Sequence, residues 1–215
     1  MNFLIKSGQG LKGEITIPGD KSISHRSIIL SSLAEGTSKI CGLLEGEDCL
    51  ATIEVFRNMG IKIVNEEGVY SIKGNGLRGL EAPQNPLDFG NSGTSIRLCS
   101  GILSAQNFPS TLVGDISLSS RPMQRIVEPL TDMGAKITSK NGTLPLNISP
   151  TDSLKSIDYL LPVASAQVKS CIMLAALYAE GTTRIEEIAV TRDHTENMFK
   201  QFGICLLYTS PSPRD

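Results

Sequence analysis

The sequence has little with which to hold a metal ion or a disulfide framework. It contains no tryptophan, two histidines and no pair of cysteines in a CxxC spacing. A zinc site needs four closely placed ligands, and His25 and His194 lie far apart in the chain, so we expect no metal. The odd number of cysteines predicts free thiols in a reducing cytoplasm; these residues are Cys41, Cys49, Cys99, Cys171 and Cys205.

Long apolar runs and an excess of one charge are also missing. The longest apolar stretch, residues 171–179, is too short to cross a bilayer, and the first residues have no signal-peptide pattern. A net charge of −2 gives no general affinity for nucleic acid. We therefore expect a cytoplasmic protein of one large or two small domains, with neither a membrane nor a nucleic acid as partner.

One layout occurs three times, over residues 15–63, 87–137 and 159–204. Each stretch has a short apolar strand, a polar turn, a helix, a second strand, a charged turn and a second helix. Each second helix is closed by a glycine, the usual left-handed residue after a helix; these are Gly60, Gly134 and Gly203. The phrases LAEGTSKI and YAEGTTRI in the first and third stretches are near copies. The pattern predicts an α/β fold of three repeated units.

Two of the repeated stretches are followed by a predicted β-hairpin. Residues 62–74 and 136–149 alternate in polarity around a Glu-Gly or an Asn-Gly turn. Each unit is then βαβαββ. Packing three such units around a pseudo-threefold axis would bring three helix N-termini to one end of the domain.

The polar turns between the first strand and first helix of each unit are the candidate site. They span residues 19–22, 90–94 and 164–167. Helix N-termini carry free N–H groups and a partial positive charge, and they bind anions. Helix capping alone would explain the small polar residues of these turns but not the basic side chains in or near them. The basic residues are Lys21, Arg26, Arg121 and Arg192. We predict one site for a multiply anionic small molecule.

Other catalytic motifs fit the sequence less well. A P-loop needs glycine directly before its lysine, and Asp20 precedes Lys21. A nucleophile elbow, G-x-S-x-G, fails because Thr94 stands at its last position. Cys99 and Cys171 fall in apolar helical patterns and are expected in the core.

Neither histidine receives a chemical role. Ser24 and His25 are sequence neighbours, which is not the arrangement of a catalytic triad. Asp193 is expected to cap a helix, with Glu196 three residues later completing a capping box. His194 is then a surface residue in the first turn of that helix.

Five motifs in order resemble the 5-enolpyruvylshikimate-3-phosphate synthase family: PGDKSISHRS, LDFGNSGTSIR, GDISLSSRPM, ASAQVKS and TRDHTE. The resemblance runs from about Gly10 to Ile204, and LDFGNSGT and ASAQVKS resemble its divergent bacterial branch. It implies the enolpyruvyl transferase fold, an inside-out α/β barrel of βαβαββ units. It also implies transfer of the enolpyruvyl group of phosphoenolpyruvate to the 5-hydroxyl of shikimate 3-phosphate, in the shikimate pathway, without a metal or organic cofactor.

The resemblance assigns roles to the residues of the polar turns. Lys21 would be catalytic and would contact both substrates. The shikimate 3-phosphate residues would be Ser22, Arg26, Ser165, Ala166, Gln167 and Arg192, together with Lys21. The phosphoenolpyruvate residues would be Asn91, Gly93, Thr94, Arg121 and Gln167, again with Lys21. Glyphosate occupies the phosphoenolpyruvate site in this family, so inhibition by glyphosate, weakened by Gly93→Ala, is implied as well.

The resemblance also divides the chain. Residues 1–14 would be the first strand of a second domain, residues 15–204 the three-unit domain, and residues 205–215 an aberrant, disordered tail that matches neither the repeat nor the family. The family's acid and base groups, an Asp and a Glu, come from that second domain. We therefore expect an incomplete, inactive fragment of a monomeric enzyme.

Two alternatives to this function remain open. The first is the sister transferase that acts on UDP-N-acetylglucosamine. It normally has asparagine after the lysine and a loop cysteine, whereas Ser22 follows Lys21 here and residues 114–123 contain no cysteine. The second is a non-catalytic phosphate-binding remnant.

Overall fold

A computed structural model describes residues 3–4, 8, 10 and 12–207 of the chain. The helices of this part are α1 Lys21–Leu33, α2 Glu47–Arg57, α3 Gly93–Leu103, α4 Ile116–Ser119, α5 Gln124–Asp132, α6 Ala166–Ala176 and α7 His194–Gln201. The strands are β1 Glu35–Cys41, β2 Lys62–Glu66, β3 Val69–Asn75, β4 Leu87–Asp88, β5 Ser110–Val113, β6 Lys136–Lys140, β7 Thr143–Ser149, β8 Leu154–Lys155, β9 Asp158–Leu161, β10 Ala179–Glu180 and β11 Arg184–Glu187.

Helices α1, α3 and α6 form the centre of the core, since most of their residues are buried. Helices α3 and α6 pack closely because Gly101 lies at their contact. A Cβ atom at Gly101 would lie 2.3 Å from the carbonyl oxygen of Cys171. Cys99 and Cys171 are buried in this contact, which confirms that they belong to the core. All five cysteines are free thiols.

The sheets lie around these helices. One contains β1, β3 and β2 in that order, all antiparallel, and another has the order β4-β5-β7-β6 with β4 parallel to β5. Two short parallel pairs complete the set, β11 with β9 and β10 with β8. The segment from β4 to β7 runs β4-α3-β5-α4-α5-β6-β7, a βαβαββ unit with the short helix α4 inserted, which the sequence does not predict.

The predicted turns and helix ends are confirmed. Glu67 and Gly68 have φ angles of 52° and 82° between β2 and β3, and Asn141 and Gly142 have 55° and 76° between β6 and β7. Consecutive left-handed residues give the tight primed turn that suits a twisted hairpin. The glycines that close α2, α5 and α7 also have positive φ, at Gly60, Gly134 and Gly203.

The predicted strand at residues 15–17 is wrong. Residues 12–20 have no regular structure, and the side chains of Ile15 and Ile17 are 83% and 73% exposed. In the other sheet, β4 pairs in parallel with β5, so the equivalent strand of the first unit would pair with the outer edge of β1. Among the described residues, no strand occupies that edge, and residues 15–17 have no partner with which to form one.

The expectations for the two ends of the chain fall mainly on residues that the structure does not describe. Of residues 1–14, those described have no regular structure. Residues 205–207 also have none, and 208–215 lie outside the described part. Within the described helices, none is long and apolar enough to pass through a bilayer.

The predicted capping box at the start of α7 is wrong. Asp193 is the N-cap residue but makes no side-chain capping hydrogen bond. The carboxylate of Glu196 instead lies 2.5 Å from the ammonium group of Lys169, in the interior. A buried lysine offers a carboxylate a stronger partner than a backbone N–H. His194 lies half-buried in the first turn of α7.

Candidate anion-binding site

The three central helices begin with a side-chain cap. The Asp20 carboxylate accepts a hydrogen bond from the Ile23 amide at 2.8 Å at the start of α1. Ser92 and Ser165 cap α3 and α6 in the same way. Each cap satisfies one of the four N–H groups that a helix start leaves without an intrahelical partner. Capping therefore explains part of the turn chemistry, and the basic side chains around it need a separate explanation.

One group of residues, the α3–α4 cluster, surrounds the first turn of α3. It consists of Asn91, Gly93, Thr94, Arg97, Arg121 and Gln167. The Arg121 guanidinium donates to the side-chain and backbone oxygens of Asn91. The Asn91 amide in turn donates to the Asp115 carboxylate at 2.7 Å. This chain of contacts fixes Arg121 beside the start of α3.

Gln167 joins the start of α6 to the α3–α4 cluster. Its amide nitrogen donates to the Thr94 hydroxyl at 2.9 Å, and its amide oxygen accepts from the Arg97 guanidinium at 3.0 Å. Arg97 also donates to the carbonyl oxygen of Gly93 at 3.0 Å. The predicted residues Asn91, Thr94 and Gln167 are thus brought together, with Arg97 between them.

Gly93 is buried where two arginines meet. A Cβ atom at Gly93 would lie 2.8 Å from Nη1 of Arg97 and 3.0 Å from Nη1 of Arg121. Any larger residue would therefore displace one of the two guanidinium groups. Glycine at this position allows both cations to approach the backbone of the first turn.

A second group, the α1–α7 cluster, joins the starts of α1 and α7 to α6. It consists of Ser22, Arg26, Ser170, Arg192 and Thr195. The buried guanidinium of Arg26 donates to the Thr195 hydroxyl at 2.6 Å, the Ser170 hydroxyl at 2.8 Å and the Ser22 carbonyl at 2.9 Å. Exposed Arg192 lies 3.5 Å from the Ser22 hydroxyl. Ser22, Arg26 and Arg192 are therefore neighbours.

Helix α6 places the two clusters side by side. Gln167 of the α3–α4 cluster and Ser170 of the α1–α7 cluster are three residues apart and so lie on one face of the helix. Ser165 and Ala166 stand at its start, as the N-cap and the first helical residue. Ala166 offers only its backbone for binding.

Lys21 lies at the start of α1 and is about half exposed. Its ammonium group forms a close ion pair with Asp48, in the first turn of α2. The pair holds Lys21 toward α2. A competing anion can draw this side chain away, because water reaches the half-exposed Lys21 and weakens its ion pair.

His25 lies beneath these groups and is fully buried. Its Nδ1 atom is 2.8 Å from the Thr52 hydroxyl, and its Nε2 atom is 3.4 Å from the Ser92 hydroxyl. Burial lowers its pKa to about 4; Asp48 opposes the shift, and Lys21 and Arg26 add to it. His25 is therefore neutral at pH 7 and joins α1, α2 and α3 as a structural hydrogen-bonding residue.

The arginines of the site are held in an environment that disfavours their charge. Burial lowers the pKa of Arg97, and the neighbouring Arg121 and Arg125 lower it further. Burial also lowers the pKa of Arg26; Glu196 and Asp20 oppose the shift, and Arg192 adds to it. Cations placed this close together repel one another, and a bound anion would relieve the repulsion. This crowding of cations favours the binding of an anion.

Sequence reasoning missed four contributors to the site: Arg97, Asp48, Ser170 and Thr195. Arg97 follows Gly93 by four residues, a spacing that places both on one helix face and could have identified it. Asp48 has no comparable signal, because its contact with Lys21 crosses between helices. The described residues contain no group of three or more His, Cys, Asp or Glu side chains that could hold a metal ion.

Comparison with known proteins gives a consistent result. Residues 5–212 match the family described as EPSP synthase (3-phosphoshikimate 1-carboxyvinyltransferase). A 3-phosphoshikimate 1-carboxyvinyltransferase of Ruthia magnifica is 59% identical over 201 residues, covering 94% of this chain and 46% of the relative. The corresponding protein of Hydrogenovibrio crunogenus is 55% identical over 205 residues, with the same coverage.

A solved structure of EPSP synthase from Acinetobacter baumannii has the same fold over the matched part. It superimposes with a TM-score of 0.89 at 53% identity, covering 92% of this chain and 45% of that one. The chain thus spans about half the length of the curated relatives and solved structures that it matches.

Proposed function

Since the chain belongs to the EPSP synthase (3-phosphoshikimate 1-carboxyvinyltransferase) family, we propose that it serves the transfer of an enolpyruvyl group from phosphoenolpyruvate to shikimate 3-phosphate. Both substrates are phosphate esters, and phosphoenolpyruvate also carries a carboxylate. The observation that carries the proposal is the meeting of two arginine clusters at the starts of α1, α3, α6 and α7.

Each cluster suits one substrate. We assign shikimate 3-phosphate to the α1–α7 cluster, extended by Ser165, Ala166 and Gln167. We assign phosphoenolpyruvate to the α3–α4 cluster, where the guanidinium groups of Arg97 and Arg121 flank Gly93. A planar guanidinium binds phosphate or carboxylate through two parallel hydrogen bonds, which fixes the orientation of the substrate.

Lys21 and Gln167 then lie where the two substrates meet. The proposed reaction is an addition–elimination through a tetrahedral ketal phosphate. The 5-hydroxyl loses its proton and its oxygen bonds to C2 of phosphoenolpyruvate while C3 gains a proton. C3 then loses a proton as the C2–O bond to phosphate breaks and inorganic phosphate leaves. Cations already fixed by hydrogen bonds stabilise the anionic intermediate without having to reorganise. Lys21 would leave Asp48 and add its charge to the substrate phosphates. No metal or organic cofactor enters the proposal.

For the architecture, we propose three βαβαββ units around a pseudo-threefold axis within residues 15–204. The order β4-α3-β5-α5-β6-β7 supports one complete unit, apart from α4. The first unit shares the later part of this order, since β1, β3 and β2 pair as β5, β7 and β6 do. The third shares the earlier part through the parallel pair of β9 and β11. Residues 1–14 would then belong to a second domain.

Calorimetry on the purified 215-residue chain tests the proposed substrate. We expect shikimate 3-phosphate to bind measurably tighter than inorganic phosphate, and UDP-N-acetylglucosamine not to bind. Binding of UDP-N-acetylglucosamine instead would favour the sister transferase. Equal binding of phosphate and shikimate 3-phosphate would favour a non-catalytic phosphate-binding protein.

Turnover is tested separately, by phosphate release from phosphoenolpyruvate. We expect the chain alone to bind without turning over, because the resemblance assigns the acid and base groups to the other part of the family's sequence. Phosphate release that depends on shikimate 3-phosphate would contradict this expectation, while supporting the assignment of the substrates.

A further inference from the structure

We infer that Lys169, which lies beneath the α1–α7 cluster, is a positioning residue that holds Arg26 and Arg192 in place for shikimate 3-phosphate. The inference rests on the proposed function for the identity of the ligand. Lys169 belongs to the motif ASAQVKS, but none of the roles assigned above includes it.

Lys169 is a buried cation shared by two carboxylates. Its ammonium nitrogen lies 2.7 Å from Glu187 Oε2 and 2.5 Å from Glu196 Oε1. The side chain of Glu196 is as well buried as that of Lys169, and Glu187 is only slightly exposed. The three residues come from α6, β11 and the first turn of α7, so this ion cluster ties α7 to the core.

Glu196 connects Lys169 to Arg26, because it pairs with Lys169 and directly follows Thr195, a hydrogen-bond partner of Arg26. The residue before it, Thr195, accepts a hydrogen bond from Nε of Arg26 at 2.6 Å. Thr195 is also 2.7 Å from the Ser170 hydroxyl, which accepts from the same guanidinium. Burial lowers the pKa of Arg26, and of the neighbouring carboxylates that oppose this shift Glu196 has the largest effect. Movement of Glu196 would therefore disturb both the position and the charge balance of Arg26.

Glu187 connects Lys169 to the segment that carries Arg192. Its second carboxylate oxygen accepts a close hydrogen bond from the Thr191 hydroxyl, one residue before Arg192. Arg192 reaches from this anchored segment to the Ser22 hydroxyl. One ammonium group thus fixes the backbone beside both arginines of the α1–α7 cluster.

Stability alone does not explain a buried charge cluster of this kind. Replacing a buried ion pair by packed apolar residues is often neutral or stabilising, because burial removes the charges from water. Removing only one partner is different, since the remaining charges stay buried without compensation. In Lys169→Met, the carboxylates of Glu187 and Glu196 would repel each other, and α7 would move away from the core.

The test compares three variants of the full 215-residue chain. Lys169→Met removes the central charge, Lys169→Arg keeps it, and Lys136→Met removes a charge from the exposed face of β6 as the matched control. We expect Lys169→Met to weaken binding of shikimate 3-phosphate about tenfold or more, because both arginines would lose their alignment with the ligand. Lys169→Arg should recover much of the affinity, and Lys136→Met should bind as the unaltered chain does.

A second measurement reports positioning without any ligand. The Nε proton of Arg26 donates to Thr195, so its exchange with solvent, followed by ¹⁵N NMR, is expected to be slow. Lys169→Met should accelerate this exchange and Lys169→Arg should restore it. Unchanged exchange in Lys169→Met overturns the inference, whatever the binding result. Failure of the unaltered chain to bind shikimate 3-phosphate contradicts the proposed function, and the exchange rates still decide the positioning.

A milder variant covers the case in which Lys169→Met does not fold. Glu187→Gln keeps Lys169 paired with Glu196 and weakens only the connection to Arg192. We expect weaker binding of shikimate 3-phosphate with little change in the exchange of the Arg26 Nε proton. Equal affinity of Glu187→Gln and the unaltered chain would contradict the role of the cluster in positioning Arg192.

Discussion

At the scale of single residues, Gly93 controls how closely two cations approach the start of α3. The space that a Cβ atom would need is occupied by the ends of Arg97 and Arg121. The ends of long side chains can move, so the fold should tolerate a methyl group there. Binding of an anion should be weakened by the same methyl group, because movement of either guanidinium changes the positions of the N–H groups that would contact a phosphate.

We predict that Gly93→Ala weakens binding of phosphoenolpyruvate and of glyphosate about tenfold, or ~1.4 kcal/mol, in calorimetry with shikimate 3-phosphate present. Thermal unfolding should change little. Gly10→Ala is the control, because a Cβ there meets nothing within 4 Å. Equal binding by Gly93→Ala and the unaltered chain would refute the assignment of the α3–α4 cluster.

The sequence predicts the types of residue in the site better than their contacts. Lys21 and Arg192 are recognisable because basic residues at or just before helix starts are unusual. The burial of Arg26 under three hydrogen bonds is not recognisable, because its partners Thr195 and Ser170 lie far along the chain. Lys169 was missed for the same reason. Contacts between distant elements depend on packing, which residue type and local spacing do not determine.

At the scale of elements, the contact of α3 with α6 sets the distance between the two clusters. Gly101 allows this contact, since a Cβ atom would lie 2.3 Å from a backbone oxygen of α6. Backbone cannot move aside as a side-chain end can. The helices would have to separate, and the bonds of Gln167 to Thr94 and Arg97 would lengthen with them.

We predict that Gly101→Ala lowers the free energy of unfolding by about 3 kcal/mol, the upper range for overpacking a core. Urea denaturation measures this, and a Gly10→Ala control, whose Cβ would meet nothing within 4 Å, should retain the unaltered midpoint. A midpoint for Gly101→Ala within error of the unaltered chain would show that α3 and α6 can repack without cost.

Substitutions of Ser165, the N-cap residue of α6, can distinguish helix capping from ligand binding. Ser165→Ala removes the cap and should cost about 1 kcal/mol of stability. Ser165→Asp keeps a capping carboxylate but adds negative charge where shikimate 3-phosphate is proposed to bind. We predict that Ser165→Asp retains stability in urea denaturation and loses most of its affinity in calorimetry. Retained affinity in Ser165→Asp would place the ligand phosphate elsewhere.

Elements with a strong local signal were predictable, and those that depend on a partner were not. The hairpin turns and the glycines after helices follow from left-handed residues at fixed positions. The strand expected at residues 15–17 is absent because alternation of apolar residues does not supply a neighbouring strand. The role of Glu196 was misassigned because Lys169, rather than the helix start, is its partner.

At the scale of the whole molecule, His25 makes stability depend on pH. Its pKa falls from 6.5 in the unfolded chain to about 4 in the fold. Between these values the unfolded state binds a proton that the folded state does not, so acidification favours unfolding. The contribution of neutral His25 is complete above pH 6.5 and is lost as the pH falls toward 4.

We predict that the free energy of unfolding falls by about 2 kcal/mol between pH 7 and pH 5 because of this one group. Urea denaturation at the two pH values measures the change. His25→Asn can keep a hydrogen bond to Thr52 and does not titrate in this range. Its free energy of unfolding should therefore fall by about 2 kcal/mol less than that of the unaltered chain between the two pH values. An identical fall in both proteins would exclude His25 as the cause.

The three hydrogen bonds of Arg26 have a thermodynamic consequence for ligand binding. They fix the side chain before any ligand arrives, so the loss of rotamer entropy, which usually opposes capture of an anion by arginine, has already occurred on folding. The site is polar, and a phosphate would bury little apolar surface on it, so the heat-capacity change of binding should be small. The enthalpy of association should therefore remain nearly constant across the temperatures at which the protein stays folded.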